Sequence, residues 1–248
     1  MSKRHKTLHR NKEAVLDYWQ DSAHRMKAKG TFLQLKNNLI FDHTWITTTK
    51  ALLEEGSIRE GDRLLDVGCG WGRTISGIKY FVPDTMTVGI DVNRIRLDQA
   101  RRILDDLQLG DNVELGICDA DDLGFRDGSF DVVVSVRLLQ YVPDPVRTVK
   151  EFTRVLKPGG RLVITVPNKL NPIRFLTYGR VLYSPRAVKG WFVQNKLSDI
   201  SCRTIGFLPT FRRVHWQSRL LAVEVAQGVP ILNLIGGLVL CSGRKASD

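Results

Sequence analysis

The sequence predicts an open α/β fold, a doubly wound and mostly parallel sheet, on three observations. The apolar run Leu64, Leu65, Val67 ends in a turn carrying Gly68, Gly70 and Gly72, and a helix-like stretch, Arg73–Phe81, follows at once. A second strand-like run ends in an acid, Asp91, 19 residues past Gly72. From there to Pro167, strand-like and helix-like stretches alternate. Apolar run, glycine turn and helix form the first unit of such a sheet. An acid about 20 residues on is placed to accept hydrogen bonds from ribose hydroxyls.

Each element has its own signal. Asn11–Lys29 carries Val15, Trp19 and Met26 at helical spacing and stops at Gly30; Leu39–Leu53 is a second helix, ended by Gly56. The glycines after the first strand let the backbone turn sharply and approach a ligand with no Cβ in the way. The helix that follows points its free N–H groups and positive dipole end into the turn, which suits a carboxylate or a phosphate. Thr85–Ile90 is the second strand, Arg94–Gln108 a helix, and Asn112–Cys118 the third strand, with D-A-D-D after it. Gly128 and Ser129 turn the chain into Phe130–Val136, apolar enough for a strand buried on both faces. Asp144–Leu156 is an amphipathic helix, and L-K-P-G-G-R-L-V-I-T-V-P supplies a turn and the fifth strand.

The last third reads differently. Asn168–Asp199 interrupts the run to the next strand with two helix-like pieces, Pro172–Tyr183 and Pro185–Leu197. The sixth strand is expected within Thr204–Trp216 and the seventh at Gly237–Ser242. Leu220–Leu240 is long and apolar, but Glu224, Gln227, Pro230, Asn233 and the Gly236-Gly237 pair argue for a helix followed by a strand, not a membrane span.

Charge is distributed unevenly. Net charge is +5 over Met1–Gly30, −3 over Thr31–Asn168 and +9 over Lys169–Asp248, which makes the total of +11. Basic ends around an acidic middle suit an anionic partner: phosphate, sugar acid, membrane surface or nucleic acid. In Asn168–Asp199, basic residues alternate with Phe175, Tyr178, Tyr183, Trp191 and Phe192, a pattern suited to an anionic substrate with an apolar part. Cys69, Cys118, Cys202 and Cys241 are scattered without a C-x-x-C pair, so no zinc site and no disulfide framework is indicated. They read as reduced packing residues of a cytoplasmic protein, and M-S-K-R-H-K has no apolar run of a signal peptide after it.

The glycine turn narrows the ligand. A dinucleotide turn, G-x-G-x-x-G, would put its third glycine at position 73, which is Arg73; here it is Gly72, and Asp66 stands two residues before the first glycine. D-x-G-x-G-x-G resembles the first motif of class I S-adenosylmethionine-dependent methyltransferases. Asp91, F-D-V-V-V and L-K-P-G-G before a buried strand follow in the order of that family, so the resemblance covers Asp62–Pro167 directly. It implies a seven-stranded sheet with a helical cap from the N-terminal helices and from an insertion in the C-terminal third. The expected division is a cap over 1–56, the cofactor-binding core over 57–167, a basic and aromatic insertion over 168–201, and the last strands with an apolar helical insertion over 202–248.

The same resemblance assigns roles. S-adenosylmethionine is the cofactor, with Asp66, Gly68, Cys69 and Gly70 in its turn and Asp91 on its ribose. Val92 lies against the adenine, Asp119 meets the adenine amino group, Ala120 offers its N–H to a ring nitrogen, and Val136 closes the fourth strand beside the cofactor. Two alternatives stay open: Asp121 or Asp122 in place of Asp119, and Asp91 or Asn93 as N-cap of the following helix. The sequence has Gln140 and Tyr141 where many small-molecule members carry paired histidines. The sulfonium supplies the driving force, so a general base is required only for a poorly acidic acceptor. His215, His43 and Tyr141 are its candidates, and Tyr18, Trp19, Arg137, Arg186 and Lys189 are candidates for binding the acceptor. The expected reaction is O-methylation of a small-molecule or lipid-linked acceptor bearing an anionic group, in a cytoplasmic enzyme compatible with peripheral membrane contact. An RNA methyltransferase explains the charge, yet no RNA-binding motif is visible. A non-catalytic cofactor-binding or membrane-docking subunit is the other rival.

Overall fold

The computed structural model describes residues 43–171, 181–206 and 236–247. In chain order the elements are α1 (His43–Gly56), β1 (Arg63–Val67), α2 (Arg73–Phe81), β2 (Met86–Asp91), α3 (Arg94–Asp106), β3 (Val113–Ile117), β4 (Phe130–Val136), α4 (Pro145–Val155), β5 (Leu156–Pro167), α5 (Pro185–Gln194), β6 (Ser198–Ile205) and β7 (Leu238–Arg244). They build one seven-stranded sheet of order β3-β2-β1-β4-β5-β7-β6. Strands β1 to β5 pair in parallel, and β7 runs antiparallel between β5 and β6.

The pleat explains the apolar pattern. Alternate side chains leave opposite faces of a strand, so Leu64 enters one core while Leu65 and Val67 enter the other. Leu64, Val132, Val134, Val163 and Leu240 pack with Ala51 and Leu52 of α1 and Ile78 of α2. On the opposite face Leu65, Val133, Leu162 and Ile164 meet Val149 and Phe152 of α4 and Val188 and Phe192 of α5. A third cluster joins Ile75 of α2 to Leu97 and Leu104 of α3. Both faces are therefore covered, as a parallel sheet requires. Among these, Phe130, Phe152 and Phe192 are fully buried, and truncating any one to alanine costs about 3–5 kcal/mol.

Two ends of the strands differ in use. At the amino edge, Glu55 ends α1 and accepts from the Arg203 Nε at 2.9 Å, the Ser242 hydroxyl at 2.6 Å and the Ser201 hydroxyl at 3.4 Å, clamping α1 to β6 and β7. α1 finishes there, with Gly56 beside Val132 at the start of β4, and the opposite, carboxyl edge is where β1, β4 and β5 end. That edge also holds the residues flanking 172–180 and 207–235. Tyr183 donates its N–H to the Pro167 carbonyl at 3.0 Å, and Gly237 donates to the Gly206 carbonyl at 2.9 Å. Buried Asn168 ties this edge together, donating from Nδ2 to the Gly236 carbonyl at 2.8 Å and accepting the Leu170 N–H at 3.0 Å.

Two elements differ from the sequence expectation. The sixth strand lies at Ser198–Ile205, not within Thr204–Trp216, and it forms the sheet edge. The last strand, which the family resemblance puts antiparallel at the sheet edge, is antiparallel but sits one place inward, between β5 and β6.

Candidate active site

Chain order turns around at β1. From β1 the chain goes outward through β2 and β3, then returns to build β4 and β5 on the other side. The crevice beyond the carboxyl ends of β1 and β4 is the topological switch point, where open α/β sheets bind ligands. The glycine turn closes β1 at that point.

Its three glycines do different work. Gly68, Gly70 and Gly72 all have positive φ, at 76°, 55° and 73°, where L side chains are strained. A Cβ on Gly68 would stand 3.0 Å from the Leu138 side chain, and one on Gly72 would stand 3.2 Å from the Ala100 Cβ. The outer glycines thus allow the loop after β4 and helix α3 to close in on the turn. A Cβ on Gly70 would meet nothing nearer than the Arg96 Nη1 at 3.7 Å and the Asp91 Oδ2 at 4.0 Å. A side chain there would touch these two groups at ordinary van der Waals distance, so the middle glycine is the least crowded of the three, on the side of Asp91 and Arg96.

Asp91 holds the turn from the end of β2. Its Oδ2 accepts the Gly70 N–H at 3.0 Å and its Oδ1 accepts the Asn93 N–H at 2.9 Å. The cap of α3 is Asn93, whose Oδ1 accepts the Arg96 N–H at 3.1 Å. The alternative of Asp91 as the cap is thereby settled: its carboxylate is committed to the turn, with each oxygen keeping a lone pair for further donors. Burial raises the Asp91 pKa, while the Asn93 N–H, Arg96 and the Gly70 N–H pull it back. The Arg96 guanidinium stacks 5.1 Å from the centre of the Trp71 ring, so cation and indole together wall this side.

Asp66 lies deeper. It is 1% exposed and neither carboxylate oxygen has a hydrogen-bond partner. Burial first, and the charge of Asp91 second, push its pKa up to about 8. An orphaned buried acid is rare in native chains unless a ligand or a solvent molecule completes it. Trp71 Nε1 and Asn93 Nδ2 are buried and unpartnered in the same turn region. Unpartnered polar atoms in the glycine turn and in the helix cap that follows β2 fit a small ligand rich in hydrogen-bonding groups, as an adenosyl amino acid is.

The remaining expected residues divide as follows. Asp119 lies two residues past the end of β3 at the same edge, and its Oδ1 accepts the Asp121 N–H at 3.1 Å. Asp121 accepts from the Thr148 hydroxyl of α4, and the Asp122 backbone pairs with that of Asp119. The D-A-D-D loop is pinned from below by Arg154, which donates to Glu151, Asp127 and the carbonyls of Leu123 and Phe125. Ala120 is buried behind the loop, Val92 is half-buried, and Val136 ends β4 packed against the α1-side core. Cys69 enters by its place in the turn only: its side chain packs with Ile75, Leu97 and Leu104, burial raises its thiol pKa, and its N–H is used by the Ile90 carbonyl at 2.9 Å.

On the other side of the crevice, Arg137 is exposed, with φ of 57°, and Tyr141 is half-buried. Arg186 and Lys189 are exposed on α5, whose first turn starts beside the end of β5. Tyr18, Trp19 and His215 lie outside the described residues, as do most of Pro172–Tyr183 and of Leu220–Leu240. His43 begins α1, and its side chain is likewise outside the description. Sequence reasoning missed Arg96 and passed over Gln140. Arg96 could have been found as the residue one helical turn inside an Asn-capped helix that follows the ribose acid; Gln140 was marked only by its place where family members carry paired histidines. Among the described residues no group of three His, Cys, Asp or Glu could hold a metal ion, and no helix is long and apolar enough to cross a membrane.

Comparison with known proteins agrees with this geometry. Residues 65–164 match the methyltransferase domain family, which spans the strands that form the crevice. The chain is 36% identical over 107 residues to 27-O-demethylrifamycin SV methyltransferase of Amycolatopsis mediterranei, covering 43% of this chain and 39% of that protein. It is 32% identical over 149 residues to demethylmenaquinone methyltransferase of Symbiobacterium thermophilum, covering 59% of each. Its aligned part therefore spans about two-fifths to three-fifths of these relatives' length. The fold is shared with phosphoethanolamine N-methyltransferase 2 of Haemonchus contortus in complex with S-adenosylmethionine, at a TM-score of 0.63 and 18% identity over 99% of this chain and 60% of that one.

Proposed function

Starting from a chain that has the class I S-adenosylmethionine-dependent methyltransferase fold, with a methyltransferase domain over residues 65–164, we propose that it transfers the methyl group of S-adenosylmethionine to an oxygen of a small-molecule or lipid-linked acceptor bearing an anionic group. One observation carries the cofactor half: the left-handed Gly70, the least crowded glycine of the turn, lies at the switch point with its N–H on the Asp91 carboxylate, and the buried Asp66 of the same strand end has no partner. When bound, the cofactor supplies a methyl carbon on a positively charged sulfur, ready for displacement.

The residues then have distinct tasks. Asp91 accepts from the ribose hydroxyls with the lone pairs that Gly70 and Asn93 leave over, and it orders the turn before the cofactor arrives. Asp119 and the Ala120 N–H face the adenine. Asp66 offers a low-dielectric acceptor for the ammonium end, where one charge-assisted hydrogen bond is worth about 1.5–3 kcal/mol. Leu138 lies against Gly68 and leaves no room for a side chain there. Reaction needs the acceptor oxygen, methyl carbon and sulfur in line, so alignment supplies most of the rate. If a base takes part, Tyr141 is the candidate within the described residues, with His43 and His215 the others.

The acceptor half rests on charge and placement. In this reading the acceptor lies at the carboxyl edge, where α5 begins beside the end of β5. Arg186 and Lys189 there supply positive charge for the acceptor's anionic part. The relatives act, by name, on a rifamycin and on demethylmenaquinone, which supports an organic acceptor of small size. Incubation with methyl-labelled S-adenosylmethionine and fractionated cell extract tests the reading. Label in a low-molecular-mass or lipid fraction is expected; label confined to RNA or protein would replace it.

A further inference from the structure

The four cysteines are free thiols, and the sheet does not treat them alike. Cys69 packs in the third apolar cluster, and the Cys118 Sγ donates to the carbonyls of Asp119 and Asp122. Cys202 of β6 and Cys241 of β7 are in-register partners across the antiparallel β6–β7 pair. Both join the cluster that holds Val188, Trp191 and Phe192 of α5, while their neighbours Ser201, Arg203 and Ser242 meet Glu55 on the other face. Backbone bonding fixes how closely they face. The Thr165 carbonyl accepts the Arg137 N–H at 2.8 Å, so Thr165 turns to the β4 side and its neighbour Ile164 turns to β7. There Ile164 is in register with Cys241, whose backbone groups are therefore spent on β5. Toward β6, Cys241 and Cys202 form a non-hydrogen-bonded pair, the class that brings opposed Cα atoms to about 4.5 Å and side chains closest. A disulfide spans about 4.4–6.8 Å between Cα atoms.

The two thiols differ. Cys241 is fully buried, whereas Cys202 is half-buried beside α5, its Sγ 3.4 Å from the Pro185 carbonyl. The Cys241 thiol donates to the Cys202 sulfur, and Lys189 of α5 adds positive charge and a backbone N–H; together they lower the Cys202 pKa against burial and against Glu55. The same thiol contact, with burial second, raises the pKa of Cys241. A partly exposed sulfur with thiolate character, backed by a buried protonated one, is the arrangement of an attacking and a resolving thiol. Packing alone would need neither the asymmetry nor the cation. Among the described residues no third His, Cys, Asp or Glu joins them as a metal set.

We propose that Cys202 and Cys241 are a modification site for hydroperoxides, which closes into a disulfide tying the edge strand β6 to β7. In the first step the Cys202 thiolate attacks one peroxide oxygen. An S–O bond forms, the O–O bond breaks, and the departing alkoxide takes a proton from solvent. Cys202 is then a sulfenic acid, oxidised by two electrons, and the hydroperoxide is reduced to an alcohol, or to water where it is hydrogen peroxide. In the second step the Cys241 sulfur attacks the Cys202 sulfur. The S–S bond forms, the S–O bond breaks, and hydroxide leaves with the Cys241 proton as water. The bridge closes a ring over 202–241 and needs no shift of register. Strands β4 and β5 separate the site from the glycine turn, and it does not depend on the methyl-transfer reading.

The test treats the reduced full chain with an equimolar amount of hydrogen peroxide, blocks the remaining thiols, and maps the digest by mass spectrometry. A Cys202–Cys241 linked peptide, two hydrogens lighter than the reduced pair, is expected, with Cys69 and Cys118 still blocked as thiols. Dithiothreitol should reverse it. The bridged form should melt about 4 °C or more above the reduced form. In Cys241→Ser the Cys202 sulfenic acid should persist and react with dimedone. In Cys202→Ser oxidation of Cys241 should be slower than that of Cys202 in wild type by at least about tenfold. Oxidation falling first on Cys118, a bridge between two chains, no bridge at all, or a bridged form that melts at or below the reduced one would each overturn the inference. The mapping is made on the wild type, so it stays decisive even where a serine variant fails to fold.

Discussion

At the residue scale, the strand end before the turn buries an acid, Asp66, whose pKa is well above the ordinary carboxylate value. Asp66 shows the consequence with a definite sign. Its folded pKa is raised from 3.8 to about 8, by burial and then by Asp91. Between those values the unfolded chain has lost a proton that the folded chain keeps, so the contribution is full below the lower value and is lost as pH rises through the upper one. The ligand-free wild type should accordingly lose Tm between pH 4 and pH 8 relative to Asp66→Asn, by about 4 °C or more at the upper end. Parallel melting curves across that window would show that Asp66 titrates normally. The acid itself was legible in the sequence from its place two residues before Gly68. Its orphaned state was not, because it depends on what α1 and α2 lay over it. The full burial of Gln140 was hidden for the same reason: an amide's burial is set by packing partners distant in sequence.

At the scale of elements, local pattern went far where a strand or helix is bounded by strong punctuation. Arg73–Phe81 and Phe130–Val136 form with the ends that Gly72, the Gly128-Ser129 turn and their apolar runs imply. Asp144 caps α4 through the N–H groups of Val146 and Arg147, with Pro145 at the first helical position, the expected chemistry of a helix start. The sixth strand was misplaced because S-D-I-S-C-R-T-I is polar and half-exposed, as befits an edge strand, and gives little periodic signal. What holds that edge is the Glu55 clamp, a contact between residues nearly 150 apart. Burial alone would raise the Glu55 pKa, but the Ser242, Arg203 and Ser201 bonds bring it below the ordinary value. Glu55→Ala should cost about 2 kcal/mol, or roughly 4–8 °C in Tm. S-adenosylhomocysteine affinity should not change, because the clamp lies at the amino edge. A binding defect without a stability defect would mean that α1 acts on the site rather than on the fold.

At the scale of the molecule, charge and topology divide the labour. In the proposed reading the switch point and its acidic glycine turn hold the cofactor, while the net positive charge lies outside Thr31–Asn168. Arg186→Glu with Lys189→Glu reverses part of that field on an exposed helix. The Michaelis constant for the acceptor fraction should rise several-fold at low salt and converge on wild type as ionic strength grows. Cofactor affinity should be spared. An unchanged constant at low salt would leave these residues a solubility role only. The fold class was readable from Asp62–Pro167 because glycines, acids and buried strands there are spaced by backbone geometry. The acceptor was not readable, because its contacts depend on side chains of segments that no short motif describes.

The central claim is that the turn Gly68–Gly72, held by Asp91, is the cofactor site. Titration calorimetry of S-adenosylhomocysteine into wild type and into folded Asp91→Ala tests it most directly. One site per chain is predicted for the wild type. The variant should bind roughly 30- to 150-fold more weakly, the loss of about 2–3 kcal/mol expected when charge-assisted hydrogen bonds are removed. Equal affinity in the two proteins, or no binding by the wild type, would contradict it.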